Sequence, residues 1–107
     1  MTFDFDKKAK PMKGQEESKS TLSEMLSNTI SLTAGTPDGK PFTMKRTMRL
    51  MSFIEQLDDK GKIVGDEESA KELERFIEDS AFAVFVKAQL FSIIDDARLA
   101  EKESSKK

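Results

Sequence analysis

Residues 76–99 read FIEDSAFAVFVKAQLFSIIDDARL, and the way this stretch folds decides the architecture of the chain. Wound as one helix at about 100° per residue, it spreads Phe82, Val84, Val86, Leu90, Phe91, Ile93 and Ile94 over roughly two thirds of the circumference, where a surface helix ordinarily shows one stripe. Glu78, Gln89, Ser92 and Asp96 mark the narrow polar sector that remains, and Phe85 falls inside it. A helix apolar on so many sides needs several neighbours or a partner. No Gly or Pro separates it from the residues before it, so a single helix over 66–100 is allowed. Asp79-Ser80 is the natural break, because both side chains cap helix ends.

Outward from that stretch, Asp66 followed by Glu67 and Glu68 marks a helix start, an N-cap with acids at the positive end of the helix dipole, and Leu73, Phe76 and Ile77 form its apolar face. Asp58 to Gly65, DDKGKIVG, reads as a polar loop. Aligned with a calcium-binding helix-loop-helix, this loop puts Glu67 at the twelfth position but Gln56 at the first and Lys60 at the fifth, where an oxygen must coordinate, so no calcium site is expected.

Met44 to Leu57 predicts an amphipathic helix with Met44, Met48, Leu50, Met51, Phe53, Ile54 and Leu57 assigned to one side and Lys45, Arg49, Ser52 and Gln56 to the other. Lys45, Arg46 and Arg49 sit in its first turns, the wrong sign for that end of the dipole, at about a few tenths of a kcal/mol each. They are candidate charged contacts for an acidic partner, or a solvated face whose stems cover apolar surface.

Thr21 with Glu24 matches a capping box, and Leu22, Met25, Leu26 and Ile30 follow at helical spacing. Gly35-Thr36-Pro37-Asp38-Gly39 is a turn signal. Ile30 to Thr33 and Lys40 to Met44 on either side of it allow a short β-hairpin, with Pro41 on an edge.

Residues 1–19, MTFDFDKKAKPMKGQEESK, carry few apolar groups to offset the entropy of ordering them and are expected to form a disordered tail. Phe3 and Phe5 stand out, because in an extended strand both point to one side and can dock on a partner or on the body of the protein. Residues 101–107 are polar and expected to fray. The fold class expected is therefore mainly α, about four helices in a small bundle over 20–100, with room for one hairpin near 30–44.

Composition narrows the function. The 107 residues include no Cys, His, Trp or Tyr, which removes disulfides, thiol nucleophiles, the commonest zinc ligand and the usual base of a nucleophile triad. The 20 Asp and Glu leave a carboxylate enzyme formally open. They are, however, mixed with Lys and Arg as on a solvated surface, so the chain is read as non-enzymatic, with no cofactor or metal. Residues 1–62 carry 11 Lys and Arg against 9 Asp and Glu, and residues 63–107 carry 7 against 11, too mild an imbalance for a nucleic-acid footprint. Lys87 and Gln89 interrupt the most apolar run, so no membrane span is expected, and a cytoplasmic location follows, that of the host cell if the chain is viral.

Lys40-Pro41-Phe42-Thr43, the Met- and Leu-rich helix after it and the AFAVFVKAQLF segment together resemble the small tail assembly chaperones of long-tailed bacteriophages. The likeness covers residues 40–99 and is one of pattern, so no functional residue transfers. It implies a mainly helical protein that multimerises and coats a tape measure protein during tail assembly. The function expected is a protein-binding assembly factor with a protein client and self-association as partners. Phe82, Phe85, Gln89 and Ile93 are its candidate binding residues. The alternative is a small acidic inhibitor or regulator of a host protein, working through Glu67, Glu68, Glu72, Glu74 and Glu78.

Overall fold

A computed structural model describes residues 1–10, 14 and 20–105. In chain order the elements are β1 (Thr2–Asp4), α1 (Leu22–Leu32), α2 (Met44–Lys60), β2 (Lys62–Val64), α3 (Glu67–Asp79) and α4 (Val84–Ser105). Among the described residues the fold is mainly α, four helices with one two-stranded antiparallel sheet. α1 packs on α2, α3 packs on α4, and β1 touches both β2 and α4.

The helix ends follow local chemistry. The hydroxyls of Thr21 and Thr43 and the carboxylate of Asp66 each accept an amide hydrogen from the residue three ahead, Glu24, Arg46 and Ser69 respectively, satisfying donors that have no partner inside a helix. Ser80 ends α3, with its amide and hydroxyl both donating to the Ile77 carbonyl. Residues 66–100 are thus two helices, broken at the Asp79-Ser80 position. α2 ends at Gly61, whose φ of 71° lies in the left-handed region. A Cβ there would stand 2.8 Å from the Cβ of Asp6, so Gly61 supplies a helix stop and a close approach together.

That close approach exists because residues 1–10 are not a tail. β1 pairs with β2 in the register Thr2↔Val64, Phe3↔Ile63 and Asp4↔Lys62, and Phe3, Phe5 and Ile63 are fully buried. The chain then turns along the start of α1. There the Phe5 carbonyl accepts from Ser23 N and the Lys7 carbonyl from Leu22 N, at 2.9 and 2.7 Å. With Thr21 taking the amides of Glu24 and Met25, the first four amides of α1 all have partners. Composition suggested disorder because it averages over the segment. Two phenylalanines two residues apart on one strand face instead bury against an isoleucine some 60 positions away, a pairing no local window registers. Residues 11–13 and 15–19, the rest of the expected tail, lie outside the described residues.

Two smaller corrections concern strands and the C-terminus. The turn over 35–39 is present, with the Gly39 amide donating to the Thr36 carbonyl at 3.0 Å and Gly39 at a φ of 87°. The hairpin near 30–44 is not, because Ile30 to Leu32 stay in α1 and only Gly35 and Pro41 bridge. α4 continues through 101–105, where Glu101, Lys102 and Glu103 are good helix formers and extend it.

Ser23 and Ser27, one turn apart on α1, are buried against the end of α2, donating to the Leu57 carbonyl and the Asp58 carboxylate at 3.1 and 2.7 Å. Small hydroxyls there allow the close approach that compensates α1's thin apolar face. Among the described residues no buried side-chain nitrogen or oxygen lacks a partner.

If β1 is a structural strand, Phe3→Ala and Phe5→Ala should each destabilise the protein by about 3–5 kcal/mol, the range for emptying a buried aromatic site. Urea unfolding followed by helix signal measures this. A change below about 0.5 kcal/mol would mean the segment contributes nothing to the fold.

Candidate protein-binding surface

Of the four residues singled out, Phe85, Gln89 and Ile93 stand on α4 and Phe82 just before it, and all four are largely committed within the chain. Ile93 and its neighbours Leu90, Ile94 and Ala97 are buried, and Phe82 and Phe85 are half-buried against the same core. The Gln89 carboxamide brackets the N-terminal segment: its Oε1 accepts from Lys10 N at 2.7 Å, and its Nε2 donates to the Lys10 carbonyl at 3.1 Å and to the Phe85 carbonyl at 3.2 Å. The broad apolar surface of α4 is thus covered by α3 on one side and β1 on another. The polar sector holding Phe85 was drawn for one continuous helix. Because the chain leaves helical geometry at 80–83, Glu78 no longer shares a face with Phe85.

The three cations in the first turns of α2 part company. Arg46 is half-buried and makes a two-pronged bond to the buried Glu72 carboxylate, Nε to Oε1 and Nη2 to Oε2 at 2.8 Å each, with the guanidinium 4.7 Å from the centre of the Phe42 ring. This pairing joins α2 to α3 and raises the Arg46 pKa. Arg49 is half-buried, and of the three Lys45 alone is exposed. The acidic face of α3 is similarly spent: Arg98 of α4 binds Glu67 and Glu74 at 2.6 Å each, and Glu72 belongs to Arg46, which leaves Glu68 and Glu78 exposed.

What lies open is a face assigned to the core from sequence. α2 buries Leu50, Phe53 and Leu57, whereas Met44, Met48 and Met51 are 75, 67 and 52% exposed. At about 100° per residue, the methionines lie roughly 130–170° round the helix from the centre of the buried trio. Arg46, not a methionine, completes the inward sector. The signal was present in the sequence: Leu50, Phe53 and Leu57 at 3- and 4-residue spacing define one face, and Met44, Met48 and Met51 at 4- and 3-residue spacing define the opposite one. Reading both as a single side merged them. The other strongly exposed apolar residues, Leu32, Val64, Val84 and Leu99, stand on three different elements, with Val84 and Leu99 at opposite ends of α4, so among the described residues this is the one exposed apolar group at helical spacing.

Beside Met51 the surface continues into a groove of about 170 Å³ between the end of α1 and α2, lined by Ile30, Thr33, Phe42, Thr47, Leu50 and Ile54. A second concavity of about 250 Å³ lies beyond Phe42, between Thr29, Thr33, Phe76 and Asp79, with the neutralised Arg46 in its wall. Among the described residues no three Asp or Glu converge on a point that could hold a metal, and no helix is long and apolar enough to cross a membrane. No protein-family model matches the chain, and no curated protein or solved structure matches it significantly. The structure by itself defines a small mainly helical protein presenting a methionine face.

Two measurements check these placements. Met48→Glu should leave unfolding free energy within about 0.5 kcal/mol of the parent, whereas Leu50→Ala on the opposite face should cost about 2–5 kcal/mol. The pH dependence reports on the α3–α4 contact. Hydrogen bonding to Arg98 holds the Glu67 carboxyl below its ordinary value, and the Ser69 amide does the same for Asp66. A carboxyl lowered in the folded state contributes stability that is complete above the unfolded carboxylate range and is lost as pH falls through the lowered value. Acid titration should therefore loosen the start of α3, and Arg98→Gln should reduce the size of that acid-side loss.

Proposed function

We propose that this protein acts by binding other protein chains, as an assembly factor or chaperone, and that the methionine face of α2 is its contact surface. One observation carries the reading: three methionines in a row on one helix are left to solvent although the same helix has a sufficient core face of Leu50, Phe53 and Leu57. Unbranched, polarizable methionine side chains adapt to apolar surfaces of varied shape, which suits a factor that holds a client without a fixed lock. The reading moves the contact from α4, where sequence alone put it, to α2. Its class of client comes from the resemblance over residues 40–99 to phage tail assembly chaperones: a long, helical, tape-measure-like protein whose apolar side chains need covering until assembly.

A tape-measure-type helical segment that aggregates when expressed alone provides the test. Co-expressed with this protein it should stay in solution, and should do so at low and high salt because apolar contacts are little screened. Met48→Glu should abolish the effect while helix content stays unchanged. A client that precipitates equally with and without the protein, or that is held equally well by Met48→Glu, overturns the reading.

A further inference from the structure

Most charges of α2 run the wrong way for its own dipole. Lys45 and Arg49 lie in its first turns, near the positive end, and Glu55, Asp58 and Asp59 lie toward its negative end, against Lys60 in the last turn. Within the chain, Arg46 is relieved by Glu72 and Asp58 accepts a hydrogen bond from Ser27. Among the described residues, Lys45, Glu55 and Asp59 are all exposed and none is in an ion pair. Such a helix is unfavourable alone and complementary to a reversed copy of itself.

Its apolar pattern makes the same match. Met44, Met48, Met51 and Glu55 follow one another at spacings of 4, 3 and 4, the seam of a two-helix coiled coil, over about 16 Å of helix. We propose that the methionine face of α2 pairs with the same face of a second copy of the chain, the two α2 helices running antiparallel about a two-fold axis. The symmetric register sets Met48 against Met51 of the other copy at both ends of the centre. It lays the stem of Glu55 over the other copy's Met44, so that its carboxylate reaches the other copy's Lys45, and Asp59 falls on the same flank. A parallel pair would instead bring Lys45 against Lys45 and Glu55 against Glu55. This pairing rests on the reading of the α2 face as a protein-binding surface. It names the occupant of that face when no client is present, and it makes client and second copy compete for the same methionines.

Sedimentation equilibrium of the full chain provides the readout. The expected result is a reversible monomer–dimer equilibrium in the micromolar range, as suits a short seam, with Met48→Glu monomeric at every concentration and of unchanged helix content. Lys45→Glu and Glu55→Lys should each weaken the dimer, and the double variant should restore it. Residues 45 and 55 lie about 15 Å apart along their own helix, so restoration can arise only from contact between copies. A parent chain that stays monomeric to millimolar concentration overturns the pairing, as does a dimer indifferent to Met48→Glu. Single charge reversals without effect, or a double variant no better than the singles, overturn the antiparallel register. A monomeric parent that still holds the helical client through Met48 refutes self-pairing and leaves the protein-binding reading intact, so the two fail separately.

Discussion

Insertion of Phe3 and Phe5 between β2 and α4 is the contact on which the rest of the fold depends. The helices form two pairs, α1 with α2 and α3 with α4, and each pair alone would leave apolar surface exposed. β1 joins them by adding a strand to β2, directly after α2, while its buried face packs on α4. The same ten residues also supply carbonyls to the first amides of α1 and are gripped at Lys10 by Gln89. A segment rich in lysine and aspartate can do this because only one face of a strand needs to be apolar, and its polar side chains alternate out to solvent. Two large rings fully removed from water contribute more than most surface contacts of the segment combined.

Once β1 is in place, the apolar excess of α4 has an explanation inside the chain. The surface that would otherwise call for a partner is covered by the chain's own start. The unexplained apolar surface lies on the opposite side of the logic, on a helix whose hydrophobic residues are numerous enough to fill both a core face and an outer one. α2 shows how a count of apolar residues misleads: seven of them fall between positions 44 and 57, but they divide between two faces. Arg46 sharpens the point. A cation at an inward position becomes tolerable only because Glu72 arrives from α3 with a carboxylate that matches its fork.

Much of the local structure was legible from residue types and spacing. Thr21 and Asp66 mark helix starts through side-chain chemistry that operates within four residues, and the break at Asp79-Ser80 follows from the same rule, whereas the stretch 58–65, expected to be a polar loop, holds the last turn of α2, its stop at Gly61 and the strand β2. The turn at 35–39 was equally plain from Pro37 and Gly39. What escaped were the pairings at long range: Phe3 with Ile63, Gln89 with Lys10, Arg46 with Glu72. Each depends on which surfaces the tertiary fold brings together, and short-range periodicity contains no term for that. Among the candidate residues near and on α4, Ile93 is buried and Gln89 is bonded to Lys10, a residue some 80 positions earlier in the chain, while Phe82 and Phe85 are half-buried.

The sequence by itself determined the helical class and the helix starts at Thr21 and Asp66, because capping and amphipathic periodicity are local free-energy preferences. It also determined which chemistries the chain lacks, since a protein without Cys, His, Trp or Tyr cannot place those groups anywhere. Only the tertiary structure decided which apolar faces are core and which are surface. That choice turns on competition among faces for a limited interior, in which a ten-residue N-terminal segment took the place beside α4 and left the methionines of α2 facing water.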